Sequence, residues 1–516
     1  MGDFLPISMF FYEIWVKNRP FSCFCGKKMI YLHAKEISKN MVSYNKLVGR
    51  ERECKELQRV MNSDRSEFVI VYGRRRVGKT FLVDQYYQGK YDFTFVGGHN
   101  LSRQRQLTNF SRALKKYSGV KPDKFADWFD AFDALEDYLE SLDENRKKVI
   151  FIDEMPWIDT QKSDFVSALE NFWNGWAARR SDIVFIASGS ATSWMVDNLI
   201  ENQGGLHARI TSSIYIRPFT LQETEEYLQR KYCKWDRYQI LQCYMVFGGI
   251  PFYLSLINPQ DSLVQNVDRL FFLHSGIMRS EFDELYNALF SNAELYINVV
   301  KALANHHGGM SRAEIVKAVG VNGGTLSRVL TNLERCDFIS RSHNFGCKTR
   351  EANYRLIDFY TLFYYKFIAQ DTSGDEQWWT HNFESRLVST WQGLTFEIVC
   401  LVHTDAIKKA LGISGMATEV SSWNKMGNDE QKGAQIDLVI KRADRIVHLC
   451  EMKFCKAEYH ITEAYERQLR ERMELFRMAT KTKLSLVNTF VTTYGVADGI
   501  HHSVVHSEVT MRQLFE

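Results

Sequence analysis

A glycine-rich stretch near residue 75 constrains the fold more than any other part of the sequence. It reads G-R-R-R-V-G-K-T over residues 73–80 and directly follows the apolar run Phe68–Tyr72. A strand that enters a glycine-rich turn and then a helix is the usual setting of a phosphate-binding loop, or P-loop. Glycines let the backbone curl so that successive N–H groups point inward at phosphate oxygens. The pattern predicts a strand, a phosphate-binding turn and a helix that begins near Lys79.

The loop offers three kinds of contact to a nucleoside triphosphate. The helix N-terminus adds its positive dipole end, Lys79 reaches the β- and γ-phosphates, and Thr80 offers a hydroxyl to Mg²⁺. We therefore expect ATP and Mg²⁺ as ligands; the alternative is a glycine-rich turn that binds nothing. The loop residues predicted to bind the nucleotide are Gly73, Arg74, Arg75, Arg76, Val77, Gly78, Lys79, Thr80 and Phe81.

A second pattern, V-I-F-I-D-E over residues 149–154, indicates hydrolysis. A fully apolar run of this length is typical of a central parallel strand that is buried on both faces. Asp153, at the end of the strand, is placed to hold Mg²⁺, and Glu154 to orient and deprotonate the attacking water. The alternative is a buried strand with ordinary polar residues at its exit.

Strands and helical patterns alternate through the first 200 residues. Such alternation predicts an α/β fold with a parallel sheet. Another apolar run, residues 183–188, ends near two serines. Ser188 or Ser190 is placed to sense the γ-phosphate, and the alternative is that both are simple strand-end serines.

Composition limits where partners can bind. The 516 residues are 45% hydrophobic and 25% charged, with a net charge of +3, so any nucleic-acid surface must be local. No apolar run reaches 18 residues, which predicts no membrane span. Ten cysteines without paired C-x-x-C spacing are typical of reduced thiols in a cytoplasmic protein.

Four patterns in order carry a resemblance to a known family. They are V-G-R-E at 48–51, the arginine-filled P-loop, the Asp153–Glu154 pair and G-G-I-P at 248–251. Together they resemble the archaeal and bacterial P-loop ATPases related to the AAA+ and STAND groups. Members of that family carry an ATPase core, a helical lid, a winged helix and often a nuclease-like tail.

The resemblance also implies positions around the nucleotide. Arg50 and the turn that ends at Pro251 would lie near the adenine. Arg209 occupies the place of a phosphate-sensing catalytic arginine; the alternative is a surface arginine that is salt-bridged in the lid. The predicted domains are a poorly ordered extension over 1–40, an AAA+-like ATPase core over 41–203, a helical lid over 204–290, a winged helix over 291–370 and a nuclease-like domain over 371–516.

Residues 293–357 read as three helices and two strands, the order of a winged helix. In the third helix, four leucine and valine side chains form one buried stripe at i, i+3, i+4 and i+7. DNA contact through the opposite face is predicted, and the alternative is a winged helix used purely for domain packing. The side chains predicted to contact bases or phosphates are Ser327, Arg328, Thr331 and Asn332, with Lys348 and Arg350 near the wing tip.

The tail contains a second group of acids. Glu451 and Lys453 share one face of a predicted strand, and Asp437 lies on the neighbouring strand of the hairpin. Two such carboxylates bind a divalent ion, and a lysine can position or activate water; Glu397 adds a further acid. The set resembles the PD-(D/E)xK nuclease fold, a restriction-endonuclease-like α/β fold, although Ile436 replaces the signature proline. The alternative is an inactive structural remnant.

Two functions remain open from the sequence. The first is an ATPase that acts on DNA and whose nucleotide state positions a metal-dependent nuclease. The second is a nucleotide-controlled switch that recruits partners and cuts nothing, which the lack of a strong basic patch favours.

Overall fold

Five parallel strands form the sheet of the N-terminal half. The computed structural model describes residues 47–122, 124–143, 146–201, 204–206, 208–290, 292–347, 352–425 and 433–516. The strands are β1 (Glu67–Tyr72), β2 (Phe93–Val96), β3 (Lys148–Asp153), β4 (Ile183–Gly189) and β5 (Ser212–Tyr215). Their order is β2-β3-β4-β1-β5, and every neighbouring pair is parallel. The predicted α/β fold with a parallel sheet is confirmed. The predicted extension over residues 1–40 lies outside the described residues.

β1 separates two hydrophobic clusters. Val69 and Val71 belong to one cluster, and Phe68 and Ile70 belong to the other. All four side chains are fully buried because helices cover both faces of the sheet, which explains the uninterrupted apolar run. The helices around this sheet are α1 (Glu51–Met61), α2 (Lys79–Tyr87), α3 (Arg103–Ser118), α4 (Trp128–Glu140), α5 (Phe165–Asn171) and α6 (Thr192–Met195).

The sheet continues past the predicted core boundary at residue 203. The sequence predicts a strand over 215–219, whereas β5 ends at Tyr215 and pairs with β1 from Val69 onward. One further backbone bond joins Ile216 N–H to the Tyr72 carbonyl oxygen, at 2.8 Å. The core sheet therefore extends at least to Tyr215, because pairing with β1 determines where this strand begins and ends.

A helical segment follows the sheet. Thr220 and Glu223 form the predicted capping box at its start. Gly248 ends the second helix, and Pro251 occupies the first turn of the third. The helices are α7 (Leu221–Arg230), α8 (Arg237–Phe247), α9 (Pro251–Ser255), α10 (Leu263–Val267) and α11 (Ile277–Leu289).

Residues 293–356 form a unit of three helices and three short strands, here called the three-helix unit. Its antiparallel strands have the order β6-β8-β7. Gly323 begins the third helix, with the Asn322 side chain as cap. The elements are α12 (Ala293–Ala304), β6 (Met310–Ser311), α13 (Arg312–Val319), α14 (Gly323–Arg335), β7 (Ile339–His343) and β8 (Ala352–Leu356). The predicted wing-tip residues Lys348 and Arg350 lie outside the described part of the chain.

The C-terminal part contains a mixed sheet. Its strands are β9 (Thr418–Lys425), β10 (Ala434–Arg442), β11 (Ile446–Lys453), β12 (Ser485–Thr492) and β13 (Ser507–Thr510). The order is β13-β12-β11-β10-β9; β9, β10 and β11 are antiparallel, and β11, β12 and β13 are parallel. The helices of this part are α15 (Phe359–Phe363), α16 (Trp378–Asn382), α17 (Arg386–Val402), α18 (Thr404–Ala410), α19 (Glu463–Thr480) and α20 (Met511–Leu514).

One hydrophobic cluster connects the two large sheets. It contains Val69 of β1, Phe247 of α8, Leu330 of α14, Phe396 of α17 and Leu438 of β10. The N-terminal sheet, the three-helix unit and the tail sheet are therefore packed through continuous side-chain contact. Among the described helices, none is both long enough and apolar enough to cross a bilayer.

Candidate functional site

The P-loop turns at positions where side chains would obstruct it. Gly73 has φ 143°, and a Cβ there would lie 2.4 Å from the Ile216 carbonyl oxygen. Gly78 has φ 89° and Arg76 has φ 73°. Positive φ suits glycine but costs energy at an arginine, so surrounding contacts must hold Arg76 in place. The loop thereby keeps the curled path expected of a phosphate-binding turn.

Lys79 lies buried at the first position of α2, with 5% of its surface exposed. Its Nζ donates hydrogen bonds to the carbonyl oxygens of Gly73, at 3.1 Å, and Arg74, at 3.0 Å. Burial lowers the pKa of Lys79, and the carboxylates of Glu154 and Asp153 oppose that shift. The ammonium group is placed where it can exchange carbonyl partners for phosphate oxygens.

Asp153 brings the strand β3 into contact with the P-loop. Its Oδ2 accepts a 2.9 Å hydrogen bond from the Thr80 hydroxyl. Its Oδ1 accepts hydrogen bonds from the Ser188 hydroxyl and, at 3.0 Å, from the Glu154 N–H. β1, β3 and β4 place these side chains at one edge of the sheet because the carboxyl ends of parallel strands coincide there.

Glu154 turns away from β3 in a left-handed conformation, with φ 48°. Its Oε2 accepts hydrogen bonds from the Ser190 N–H, at 3.1 Å, and from the Ser190 hydroxyl, at 2.7 Å. An acid in a sparsely populated backbone region at a strand end is typical of a functional position. The sequence identifies Glu154 and Ser190 separately, and the structure brings them together.

Two P-loop arginines bind acids that lie far away in the sequence. Arg74 Nη1 lies 2.6 Å from Asp358 Oδ1, and both side chains are almost fully buried. Burial works against the charge of Arg74, but the Asp358 carboxylate raises its pKa. Arg76 Nε lies 2.5 Å from Glu281 Oε1. These side chains are engaged by protein acids, so the predicted nucleotide contacts of Arg74 and Arg76 reduce to their backbone N–H groups.

The other predicted loop residues differ in exposure. Val77 is buried, Arg75 is half-buried, and Phe81 is half exposed. Val77 therefore anchors the loop in the core, whereas the Arg75 and Phe81 side chains remain reachable from solvent.

Arg50 and the turn before Pro251 both contact Phe219, and their placement near the adenine stays a prediction. Arg50 stacks over the ring of Phe219, with its guanidinium carbon 5.0 Å from the ring centroid. Phe219 N–H donates to the Gly249 carbonyl oxygen at 2.6 Å, and Phe252 N–H donates to that of Arg76 at 3.4 Å. The turn therefore contacts the P-loop directly.

Arg209 lies in an exposed segment before β5. No ion pair links its side chain to any acid within the described residues. The alternative of a salt-bridged lid arginine thus finds no partner acid in that part of the chain, and the phosphate-sensing role stays a prediction.

Comparison with known proteins agrees with this geometry. Residues 47–257 match a family described as an ATPase domain predominantly from Archaea. This part of the chain is a P-loop ATPase domain. An uncharacterised protein of Methanocaldococcus jannaschii is 25% identical over 336 residues, 64% of this chain and 70% of that protein. An uncharacterised ATP-binding protein of the same organism is 42% identical over 43 residues, 8% of this chain and 73% of that protein.

Solved structures are more distant. A Walker-type ATPase of Pyrococcus abyssi has a TM-score of 0.46 and 17% identity, covering 62% of this chain and 96% of that one. The ORC2 protein of Aeropyrum pernix has a TM-score of 0.38 and 14% identity, covering 69% of this chain and 96% of that one. Likenesses this remote say nothing about activity.

Helix α14 of the three-helix unit presents only part of its predicted contact face. Ser327, Arg328 and Thr331 are exposed. Asn332 instead donates to the Tyr296 hydroxyl at 2.7 Å and accepts from Ser193 of the ATPase domain at 2.7 Å. The prediction that Asn332 reads bases therefore conflicts with its internal hydrogen bonds.

In the tail, Asp437 lies at a β-bulge on β10, between Ile436 and Val439. Its Oδ1 accepts hydrogen bonds from Arg355 Nη2, at 2.5 Å, and from Gln435 Nε2, at 2.8 Å. Arg355 belongs to β8, so the three-helix unit reaches the tail site. Asp437 and Glu451 are brought to neighbouring strands, as the sequence predicts.

Glu451 is surrounded by cationic and hydroxyl groups. Its Oε1 lies 2.6 Å from Lys453 Nζ and accepts a hydrogen bond from the Tyr465 hydroxyl. Its Oε2 lies 2.5 Å from Arg472 Nη2. Burial opposes its ionisation, but Arg472 and Lys453 lower the pKa of Glu451 to about 2. Each oxygen of this carboxylate therefore faces a cationic group of the protein.

Glu397, on α17, faces the same region. Burial and the charge of Asp437 raise its pKa to about 8, against the effect of Arg355. The three acids thus lie close enough to influence one another electrostatically. Across the described residues, however, no three His, Cys, Asp or Glu side chains are grouped tightly enough to hold a metal ion.

Several site residues have no sequence signal. Asp358, Glu281, Arg355 and Arg472 each contact a predicted site residue. None lies in a recognisable motif, and Asp358 is 284 positions from its partner. Only their placement in the fold identifies them.

Proposed function

We propose that this protein is a Mg²⁺-dependent ATPase that hydrolyses ATP at the P-loop. The observation that carries the proposal is the joint placement of Thr80, Asp153 and Glu154 beside the buried Lys79. Binding alone needs only the loop and the lysine. The hydrogen-bonded acid Glu154 is the additional group that hydrolysis requires, since it can orient and deprotonate water.

The donor set fits the proposed metal ion. The Thr80 hydroxyl and the Asp153 carboxylate, 2.9 Å apart, are hard oxygen ligands of the type that Mg²⁺ prefers. Bound there, Mg²⁺ would neutralise charge on the β- and γ-phosphates. Lys79 would bind the same phosphates, and the backbone N–H groups of the loop would fix their orientation.

Ser190 controls where the Glu154 carboxylate points. Two hydrogen bonds from Ser190 hold one carboxylate oxygen, and the other would accept the proton from water. Arg209, exposed before β5, would contact the γ-phosphate side of the bound nucleotide. The hydrogen bonds of Ser190 support the first role, and the family resemblance supports the second.

The test is a Glu154→Gln variant. It should bind ATP with nearly unchanged affinity, because the loop, Lys79 and Asp153 remain, but turn over at least about a hundredfold more slowly since the general base is lost. Calorimetric titration measures the affinity, and phosphate release measures the turnover. Hydrolysis at the normal rate would assign the base to another residue.

We further propose that the ATPase is directed to DNA. The order of helices and strands in the three-helix unit supports a winged helix, and exposed Ser327, Arg328 and Thr331 on α14 suit phosphate or base contact. The tail order α17-α18-β9-β10-β11-α19-β12, with Asp437, Glu451 and Lys453 on adjacent strands, supports a PD-(D/E)xK nuclease-like domain. Asp437 and Glu451 would be its metal ligands, with Glu397 as a further acid and Lys453 positioning water.

A second function is favoured by the surroundings of the same acids. Arg355, Arg472 and Lys453 occupy the oxygens that a metal ion would need. In a nucleotide-controlled switch with an inactive nuclease remnant, these acids would stay paired with Arg355, Arg472 and Lys453 and would bind no metal ion. Incubation with linear, circular and branched DNA in Mg²⁺ or Mn²⁺, with and without ATP, separates the two: digestion selects the nuclease, and a gel shift without digestion selects the switch.

A further inference from the structure

A short segment that begins at the end of the three-helix unit is tied to both candidate sites. Residues 355–358 run from the end of β8 to the start of α15. Asp358 binds Arg74 of the P-loop, and three residues earlier Arg355 binds Asp437 of the tail. Both ion pairs bridge parts of the chain that are remote in sequence, so the segment joins the nucleotide site to the tail acids.

The P-loop end of the segment is rigid. Asp358 Oδ2 also accepts hydrogen bonds from Thr361, from N–H at 3.1 Å and from the hydroxyl at 2.6 Å. Arg74 lies over the Phe338 ring, with its guanidinium carbon 4.7 Å from the centroid. The N–H groups of Ile357 and Asp358 bond to the carbonyl oxygen of Phe338. A displacement of Arg74 would therefore act on Asp358, because well-packed interiors transmit strain.

The backbone of Arg74 is also bound by Lys79. Lys79 Nζ donates to its carbonyl oxygen at 3.0 Å. Two of the buried guanidinium nitrogens, Nε and Nη2, have no hydrogen-bond partner among the described residues. Phosphate oxygens that bind Lys79 would release the Arg74 carbonyl. Because unpaired buried donors cost free energy, the Arg74 side chain would then gain by moving to new hydrogen-bond partners.

At the tail end, Arg355 covers the acid that a nuclease would use. Its Nη2 donates both to Asp437 and, at 3.2 Å, to the Gly308 carbonyl oxygen, and 5% of its surface is exposed. While this pair persists, an oxygen of Asp437 is unavailable to a cation. The guanidinium group also places a positive charge where a divalent ion would bind.

We propose that Arg355 inhibits the tail site by holding Asp437, and that ATP binding at the P-loop releases it through Arg74, Asp358 and residues 355–358. This regulation rests on the proposed nuclease function of Asp437, Glu451 and Lys453. Coupling between two sites is reciprocal. If nucleotide binding breaks the Arg355–Asp437 pair, then removing the pair must strengthen nucleotide binding by the same factor.

The experiment measures affinity and cleavage in the full chain. Arg355→Gln and Asp437→Asn each remove one charge of the ion pair, and Arg341→Gln, which removes a more exposed arginine on the adjacent strand β7, is the control. Affinity for a non-hydrolysable ATP analogue is measured by titration calorimetry, and cleavage of linear DNA in Mn²⁺ is measured with and without the analogue. Thermal unfolding and ATP turnover establish that each variant is folded.

Arg355→Gln and Asp437→Asn should each bind the analogue about fivefold or more tightly than the wild type, and Arg341→Gln should not. Without nucleotide, Arg355→Gln should cleave DNA faster than the wild type, although slowly, because Arg472 and Lys453 still hold Glu451. The wild type should cleave only with nucleotide, and Asp437→Asn should not cleave at all. Unchanged affinity in both pair variants, or wild-type cleavage that ignores the analogue, would overturn the coupling. Absence of cleavage in every protein would overturn the nuclease proposal instead, and the affinity shift would then stand by itself.

Discussion

We predict that nucleotide binding depends strongly on Lys79. Its ammonium group is desolvated and bonded to loop carbonyls, so it meets phosphate oxygens without first shedding bulk water. Hydrogen bonds to charged groups contribute roughly 1.5–3 kcal/mol each. Bonds to two phosphates therefore correspond to about a hundredfold or more in affinity.

Lys79→Ala should accordingly weaken ATP binding by about that factor, measured by titration calorimetry. Lys90→Ala removes an exposed lysine just past the same helix and should leave the affinity unchanged. Equal affinity in the two variants would remove Lys79 from the site.

His403 links the helical segment to the tail and makes stability depend on pH. Its Nε2 accepts a 3.0 Å hydrogen bond from Leu221 N–H, and its Nδ1 lies 2.8 Å from the Val399 carbonyl oxygen, so the ring is neutral. Burial lowers the pKa of His403 to about 4, below its ordinary value of 6.5. Between these two values only the unfolded chain is protonated at this residue.

The free energy of unfolding therefore has its full value above pH 6.5. It decreases by roughly 3 kcal/mol as the pH falls from 6.5 to 4, because protonation of His403 stabilises only the unfolded chain over that interval. His403→Gln should therefore flatten the fall of the thermal midpoint over that interval. His381→Gln, at an exposed histidine, should not. Parallel profiles for the wild type and His403→Gln would contradict the assignment.

At the scale of elements, the turn between α8 and α9 supports the P-loop. A Cβ on Gly249 would lie 1.8 Å from the Phe219 carbonyl oxygen, a contact that the backbone must move to avoid. The same oxygen accepts a 2.8 Å hydrogen bond from the Tyr244 hydroxyl. The turn therefore has no room for a side chain.

Gly249→Ala should lower the thermal midpoint by several degrees and weaken ATP binding, because the turn contacts the loop at Arg76. Gly393→Ala provides the control, since nothing lies within 4 Å of a Cβ there and alanine favours the interior of α17. That variant should be as stable as the wild type or about 1 kcal/mol more stable. Scanning calorimetry and titration make the comparison.

At the scale of the whole molecule, aromatic rings on both sides of the predicted domain boundary at residue 370 pack against one another. Phe363 and Phe367 each lie 5.1 Å from Trp379, between ring centroids. Trp391 lies 5.5 Å from the first ring and 5.2 Å from the second. Rings at these separations contribute beyond their buried area, so the tail completes a shared core.

A chain truncated after Gln370 should therefore expose these phenylalanines, aggregate or bind hydrophobic dyes, and unfold at a lower temperature than the full chain. Light scattering and thermal unfolding at equal concentration test this. A monomeric truncated chain with an unchanged midpoint would make residues 371–516 a separable domain.

The sequence alone determined the elements of the candidate nucleotide site because local rules suffice there. A glycine-rich turn between a strand and a helix defines Lys79 and Thr80, and an apolar strand that ends in acids defines Asp153 and Glu154. Hydrophobic periodicity likewise predicted the α14 helix and the hairpin of β10 and β11. In each case the signal lies within about ten neighbouring residues.

Only the tertiary structure decided which groups restrain those residues. Asp358, Glu281, Arg355 and Arg472 contact the site residues from distant positions, and each is an ordinary charged residue in sequence. The strand β5 was likewise fixed by pairing with β1. Long-range ion pairs and strand partners depend on how packed elements meet, which local pattern does not encode.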